Sequence, residues 1–169
     1  MLAIIFLVLG IVSRLIIHIP NFTPVIAISL LGGLYLNKRL AIILPLILLV
    51  VSDLLIGWHD TIAFTWGSIV IISAIGLWTR NFKNSKTVMA SSLLCSVIFF
   101  LITNFGVWIV GGLYPMTAEG LKNCFVLAIP FFKTELLGTL IYTFILYSAY
   151  EFAVLKLKNT RWAPVLLSV

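Results

Sequence analysis

The sequence predicts an all-α, polytopic membrane protein: six transmembrane helices in one domain over residues 1–169, with an extra capping or re-entrant helix between the fifth and sixth. Three observations predict it. First, 62% of the 169 residues are hydrophobic and 9% are charged, more apolar surface than a water-soluble core of this size needs. Second, long apolar runs alternate with short breaks of Pro, Gly, Asn and charge. Third, the basic residues gather in alternate breaks, as loops on the cytoplasmic side of a membrane require.

The first span is expected over residues 2–18, closed by Pro20-Asn21; without a basic leader region or a cleavage site it reads as a retained helix. The second, 24–36, is short, and its Gly32-Gly33 pair predicts tilt or close packing on a neighbour. The third covers 40–56 and the fourth 62–78, with Asp60-Thr61 placed to cap the fourth. The fifth, 88–110, ends at Gly111-Gly112. Residues 114–133 are polar at Thr117–Asn123 and broken at Pro130, which predicts the capping or re-entrant helix; the sixth span follows at 136–155.

With six spans, Lys38, Arg39, Arg80, Lys83, Lys86, Lys156, Lys158 and Arg161 fall on one side, eight of the eleven basic residues. Both termini are then expected in the cytoplasm. The net charge of +6 is thereby explained as positive-inside bias, and a nucleic-acid partner is not expected. Cys95 and Cys124 form no CxxC or Cys/His spacing and read as buried thiols.

The remaining polar residues segregate toward the outer end. Asp53 interrupts the aliphatic run of the third span, where an unpartnered carboxylate costs about 2.5–3.5 kcal/mol on insertion scales, so it calls for a partner or a wet cavity. Arg14, His18 and Asn21 lie at the outer end of the first span, His59 and Asp60 before the fourth, and Asn104 and Trp108 in the outer half of the fifth. Together these eight predict an outward-facing pocket for a small water-soluble solute. Arg14 would meet an anionic group of the solute or position Asp53; Asn104 and Trp108 would line the far wall.

Blander readings stand beside this one. Arg14 and Asp53 suffice as an ion pair between helices, Asn104 as a hydrogen bond to a neighbouring helix, and Lys133 and Glu135 as snorkelling anchors of a helix end. The tryptophans read mainly as an interfacial belt, with Trp66 and Trp108 able to sit deeper. His18, His59, Asp53 and Asp60 include metal-ligating types, but no i,i+4 His pair or HExxH places them on one face, so no metal and no cofactor is assigned. Without GxSxG, HExxH or a P-loop, no catalytic residue is assigned and an enzyme is not expected.

The run RLIIHIPNFTPVIAISLLGGLYLNKRLAIILPLILLVVSDLLIGWHD, followed by FTWGSIVIISAIGLWTRN, resembles the first four helices of the substrate-binding S-components of energy-coupling factor vitamin transporters. The order of Arg14–Pro24, Asp53–Asp60, TNFGVW at Thr103–Trp108, Tyr114-Pro115 and AIPFFK at Ala128–Lys133 is similar to a small group of uncharacterised bacterial inner-membrane proteins. The first resemblance implies a six-helix bundle that binds a vitamin or metal ion from outside and works with a membrane scaffold subunit and two cytoplasmic ATPases. Two features depart from it. Ala3, Gly10 and Ser13 do not reproduce an AxxxA docking motif, and Leu2 stands where metal-specific members carry His. The expectation is therefore S-component-like solute capture, coupled or solitary; the alternatives are a structural or assembly protein braced by its polar cluster, and an intramembrane enzyme.

Overall fold

One short helix organises the bundle. In the computed structural model, which describes residues 2–16 and 19–158, every residue from Val25 to Leu34 is buried. Among the described residues the chain is all-helical: α1 Leu2–Ile16, α2 Val25–Tyr35, α3 Lys38–Ile56, α4 Ile62–Thr79, α5 Ser85–Val110 and α6 Ala118–Leu157, with a 3₁₀ turn at Arg80–Phe82 after α4. The other five helices all pack around α2. At 1.5 Å per residue α2 is about 16 Å long and α1 about 22 Å, both short of a hydrocarbon core of about 30 Å. Four helices, α3 to α6, are long and apolar enough to cross a membrane. The six predicted spans are thus helices in the expected order, but length alone qualifies four of them.

The surface is inside out relative to a water-soluble protein. Large aliphatics such as Ile4, Leu54, Leu94, Leu137 and Phe144 are exposed, while Ser29, Ser68, Ser73, Ser92, Thr139 and Thr143 are fully buried in the seams. Small polar residues let backbones approach and return their hydroxyls to their own helix, as Ser29 does to the Val25 carbonyl at 2.7 Å and Thr79 to the Ile75 carbonyl at 2.8 Å. The closest approach is between α2 and α4. A Cβ on Gly33 would overlap the Ser73 carbonyl and lie 2.6 Å from the Gly76 Cα, and one on Gly76 would overlap the Leu30 carbonyl. The close packing expected of Gly32-Gly33 therefore falls on Gly33; Gly32 meets only ordinary contacts.

The predicted break between a capping helix and a sixth span is absent: α6 runs unbroken for 40 residues. Two features misled the sequence reading. Thr117–Asn123 is polar because it starts the helix, Thr117 Oγ1 accepting from the Gly120 N–H at 3.1 Å. Pro130 is carried on an exposed face inside the helix, where its ring meets no packed neighbour helix. The Thr61 cap is also modified. Thr61 precedes α4, but its hydroxyl pairs with His59 Nδ1 at 2.9 Å and caps no N–H, and Asp60 is exposed.

The bundle has two distinct ends. At one, the carbonyls that finish α2 are closed by the Arg80 guanidinium, which donates to Gly33 O and Leu36 O. Beside it Tyr35 OH and Lys83 Nζ both donate to Glu151 Oε1 at 2.6 Å, with Lys83 4.9 Å above the Tyr35 ring. Lys38, Arg39, Lys86, Lys156 and Lys158 share this end. The other end carries residues 19–24, 57–61 and 111–117, and its turns hold Asn21, Gly57 and Gly112 at positive φ.

Candidate ligand-binding site

Asp53 sits in the last turn of α3 and is 1% exposed, yet both of its oxygens are partnered. Arg14 Nη2, from the last turn of α1, lies 2.8 Å from Oδ1, and Trp66 Nε1 of α4 donates to Oδ2 at 3.0 Å. Arg14 Nη1 donates to Ser52 Oγ at 2.7 Å, and Ser52 in turn donates to the Leu48 carbonyl. The arrangement ties α1, α3 and α4 together and sets the two opposite charges against each other. Of the two roles weighed for this pair, the geometry gives the ion pair. Nη1 and Nη2 of Arg14 each make one contact inside the protein, and the same side chain borders the cavity described next. Trp66 turns its N–H to Asp53.

Beside this brace is a cavity of about 490 Å³, within the size range of small-molecule sites. Its rim includes Pro20, Asn21 and His59 from the loops, and one side is the flank of Arg14. Deeper in, α5 presents Phe99, Phe100, Thr103, Asn104 and Val107. From α6 come Phe131, Phe132 and Glu135; Thr65 of α4 and Val25, Ile26 and Leu49 complete the wall. The α5 residues recur at three- and four-residue spacing, so one face of the helix meets the cavity. Phe100 and Phe132 pack on each other with centroids 4.6 Å apart.

Several of the polar groups in the wall have their hydrogens directed into the protein. Thr103 Oγ1 donates to the Phe99 carbonyl at 2.8 Å, Thr65 Oγ1 to the Thr61 carbonyl at 3.3 Å, and Asn104 Nδ2 to the Phe100 carbonyl at 2.8 Å. The hydrogen bond expected between Asn104 and a neighbouring helix is thus made to its own preceding turn. These three side chains retain hydroxyl lone pairs and, on Asn104, an amide oxygen together with a second N–H.

Glu135 is the residue that sequence reasoning missed. It is 5% exposed, and both Ser96 Oγ of α5 and Thr139 Oγ1 donate to its Oε1 at 2.9 Å. Oε2 is buried without a hydrogen-bond partner among the described residues. The snorkelling role expected of Glu135 is therefore overturned, whereas Lys133, two residues earlier, is exposed. Because α6 begins at Ala118, Glu135 stands about 26 Å along it and not at its start. The signal was present in Glu135, Thr139 and Thr143, polar residues at i, i+4 and i+8 in an apolar run.

Of the eight predicted site residues, the cavity brings together Arg14, Asn21, His59 and Asn104. Asp53 lies behind Arg14 as its counter-ion. Asp60 is exposed and off the wall. Trp108 is also off the wall: its Nε1 donates to the Pro115 carbonyl at 3.0 Å and its ring packs on Phe105, so it steadies the loop that follows α5. His18 lies outside the described residues.

No curated protein and no solved structure matches the chain. A family model matches residues 1–163 and so takes in every residue of the cavity wall; the chain belongs to DUF6580, a family of unknown function.

Proposed function

We propose that this protein is a solute-binding membrane protein, similar in layout to the S-components of energy-coupling factor transporters, that captures a small water-soluble molecule in the cavity beside Arg14. The observation that carries the reading is the cavity itself. It is drug-sized, walled by six helices and two loops, and combines aromatic surface with a few polar groups in fixed positions. With the basic end of the bundle assigned to the cytoplasm by the positive-inside rule, its rim at Asn21 and His59 faces outward and both termini lie inside. On this reading the protein sits in a bacterial inner membrane. A scaffold subunit and ATPases would engage it from the basic side; the departures at Ala3, Gly10 and Ser13 favour a solitary carrier or a different docking contact.

The test is mass spectrometry of small molecules released when the detergent-purified protein is denatured, alongside Thr103→Phe, which places a ring in the cavity. A stoichiometric compound present in the wild type and lost from the folded variant is the expected result. Two folded samples that release nothing, with no thermal stabilisation by added solutes, would overturn it. A structural role has one specific observation in its favour, the complete internal pairing of Arg14, Ser52, Asp53 and Trp66, and is assigned to those four residues. An enzyme would instead return an added ligand chemically altered.

A further inference from the structure

Several independent features of the cavity wall point to one kind of ligand. Glu135 Oε2 is a buried acceptor with no partner among the described residues, on a residue that lines the cavity. The other charged groups nearby cancel: Arg14 is matched by Asp53, whose second oxygen is held by Trp66. His59 stands at the rim, bonded to Thr61. The side chains of Thr65, Thr103 and Asn104 each donate a hydrogen to a backbone carbonyl and keep oxygen lone pairs on residues that line the cavity. Finally, Phe100 and Phe132 supply π faces within the same wall, which attract cations as well as apolar surface.

We infer that the cavity selects a small organic cation, an ammonium or amidinium borne on an apolar or aromatic body, with Glu135 as its counter-charge. This rests on the solute-binding reading and names its substrate class. The protonated nitrogen sits against Oε2, its remaining hydrogens meet the acceptors of Asn104 and Thr103, and the body lies along Phe100 and Phe132. Ser96 and Thr139 hold the carboxylate by its other oxygen, so that Oε2 is oriented before the ligand arrives. A carboxylate or phosphate solute would face the Glu135 carboxylate, while Arg14 in the same wall already has Asp53 as its counter-charge.

The probes are 2-phenylethylammonium, 2-phenylethanol and 3-phenylpropanoate, similar bodies bearing a cation, a neutral hydroxyl and an anion. Each is added to the purified full chain at matched detergent concentration, and thermal unfolding is followed. The ammonium alone is expected to raise Tm. In Glu135→Gln its apparent Kd should weaken about tenfold or more, as loss of a charge-assisted bond predicts. The order among the three probes is read on wild-type protein, so the test stands even where the variant does not fold. Equal or stronger stabilisation by the alcohol or the anion, no stabilisation by the ammonium, or an undiminished ammonium effect in folded Glu135→Gln would overturn the inference. The compound released from the native protein separates the two claims. A bound neutral or anionic compound removes the cation assignment and leaves solute binding intact, whereas no bound compound and no response to any probe removes both.

Discussion

The cavity end and the basic end of the bundle are made by the same helices but use their polar groups differently. At the basic end the strong groups that face the bundle are matched. Arg80 takes the last carbonyls of α2, and Tyr35, Lys83 and Glu151 converge on one oxygen. At the cavity end Asp53 has a partner on each oxygen, yet Glu135, on the cavity wall, keeps one buried oxygen unpaired among the described residues. Buried polar atoms are almost always paired, so an orphan next to a cavity marks where pairing is left to another molecule. The basic end is therefore built for stability, and the cavity end divides into a brace and a receptor surface.

The sharpest way to break this division is at Asp53. Asp53→Ala leaves Arg14, 17% exposed and bordering the cavity, without its counter-charge; removing one member of a buried pair costs about 3–5 kcal/mol, and the access of Arg14 to the cavity sets the expectation at the lower end of that range. Thermal unfolding should show a large fall in Tm. The double variant Arg14→Leu/Asp53→Leu should recover most of it, because no lone charge remains. A small effect from Asp53→Ala would mean that solvent or a solute already shares the carboxylate, and would move Asp53 from the brace into the receptor.

Next in size is the α2–α4 seam. Gly33→Ala drives a methyl group into the backbone of α4 at Ser73 and Gly76, where no flexible side chain can yield, and should cost about 1–3 kcal/mol. Gly32→Ala is its control: the added carbon would meet Leu36 Cδ1 at 3.8 Å and the Ala41 carbonyl at 3.9 Å, both ordinary contacts. Unfolding should show the first variant destabilised and the second unchanged or improved. A smaller loss, about 1 kcal/mol, is expected of Arg80→Met, which uncovers the Gly33 and Leu36 carbonyls. None of these three basic-end or seam variants should alter solute binding, and one that did would tie the two ends together.

Much of this comparison could be read in advance from residue spacing. The five helices before α6 fall within three residues of their expected limits, because apolar runs bounded by Pro, Gly and Asn leave little freedom. Asp53 announced its need for a partner, and Arg14 was among the candidates. What escaped was everything that hung on α6. Treating Pro130 as a break placed Glu135 at a helix end, where a carboxylate is cheap, and so hid the one group whose burial is costly. Asp60 and Trp108 were misplaced for another reason. Proximity along the sequence to the outer end does not say which way a side chain turns, and here one points to solvent and the other to Pro115.

The smallest expected effect decides most about the receptor surface. Glu135→Gln keeps a carbonyl oxygen for Ser96 and Thr139 and replaces the unpaired carboxylate oxygen with a neutral amide. A buried neutral group is easier to leave unpaired than a charged one, and hydrogen bonds between membrane helices contribute about 0.6 kcal/mol on average. Ligand-free Glu135→Gln should therefore unfold within about 1 kcal/mol of the wild type, on either side. Asp53→Asn gives the contrasting case at the brace, since it discards a charge that Arg14 requires. If Glu135→Gln instead fell as far as Asp53→Ala, the carboxylate would be a structural member of the α5–α6 seam, and the distinction between brace and receptor would collapse into one continuous polar core.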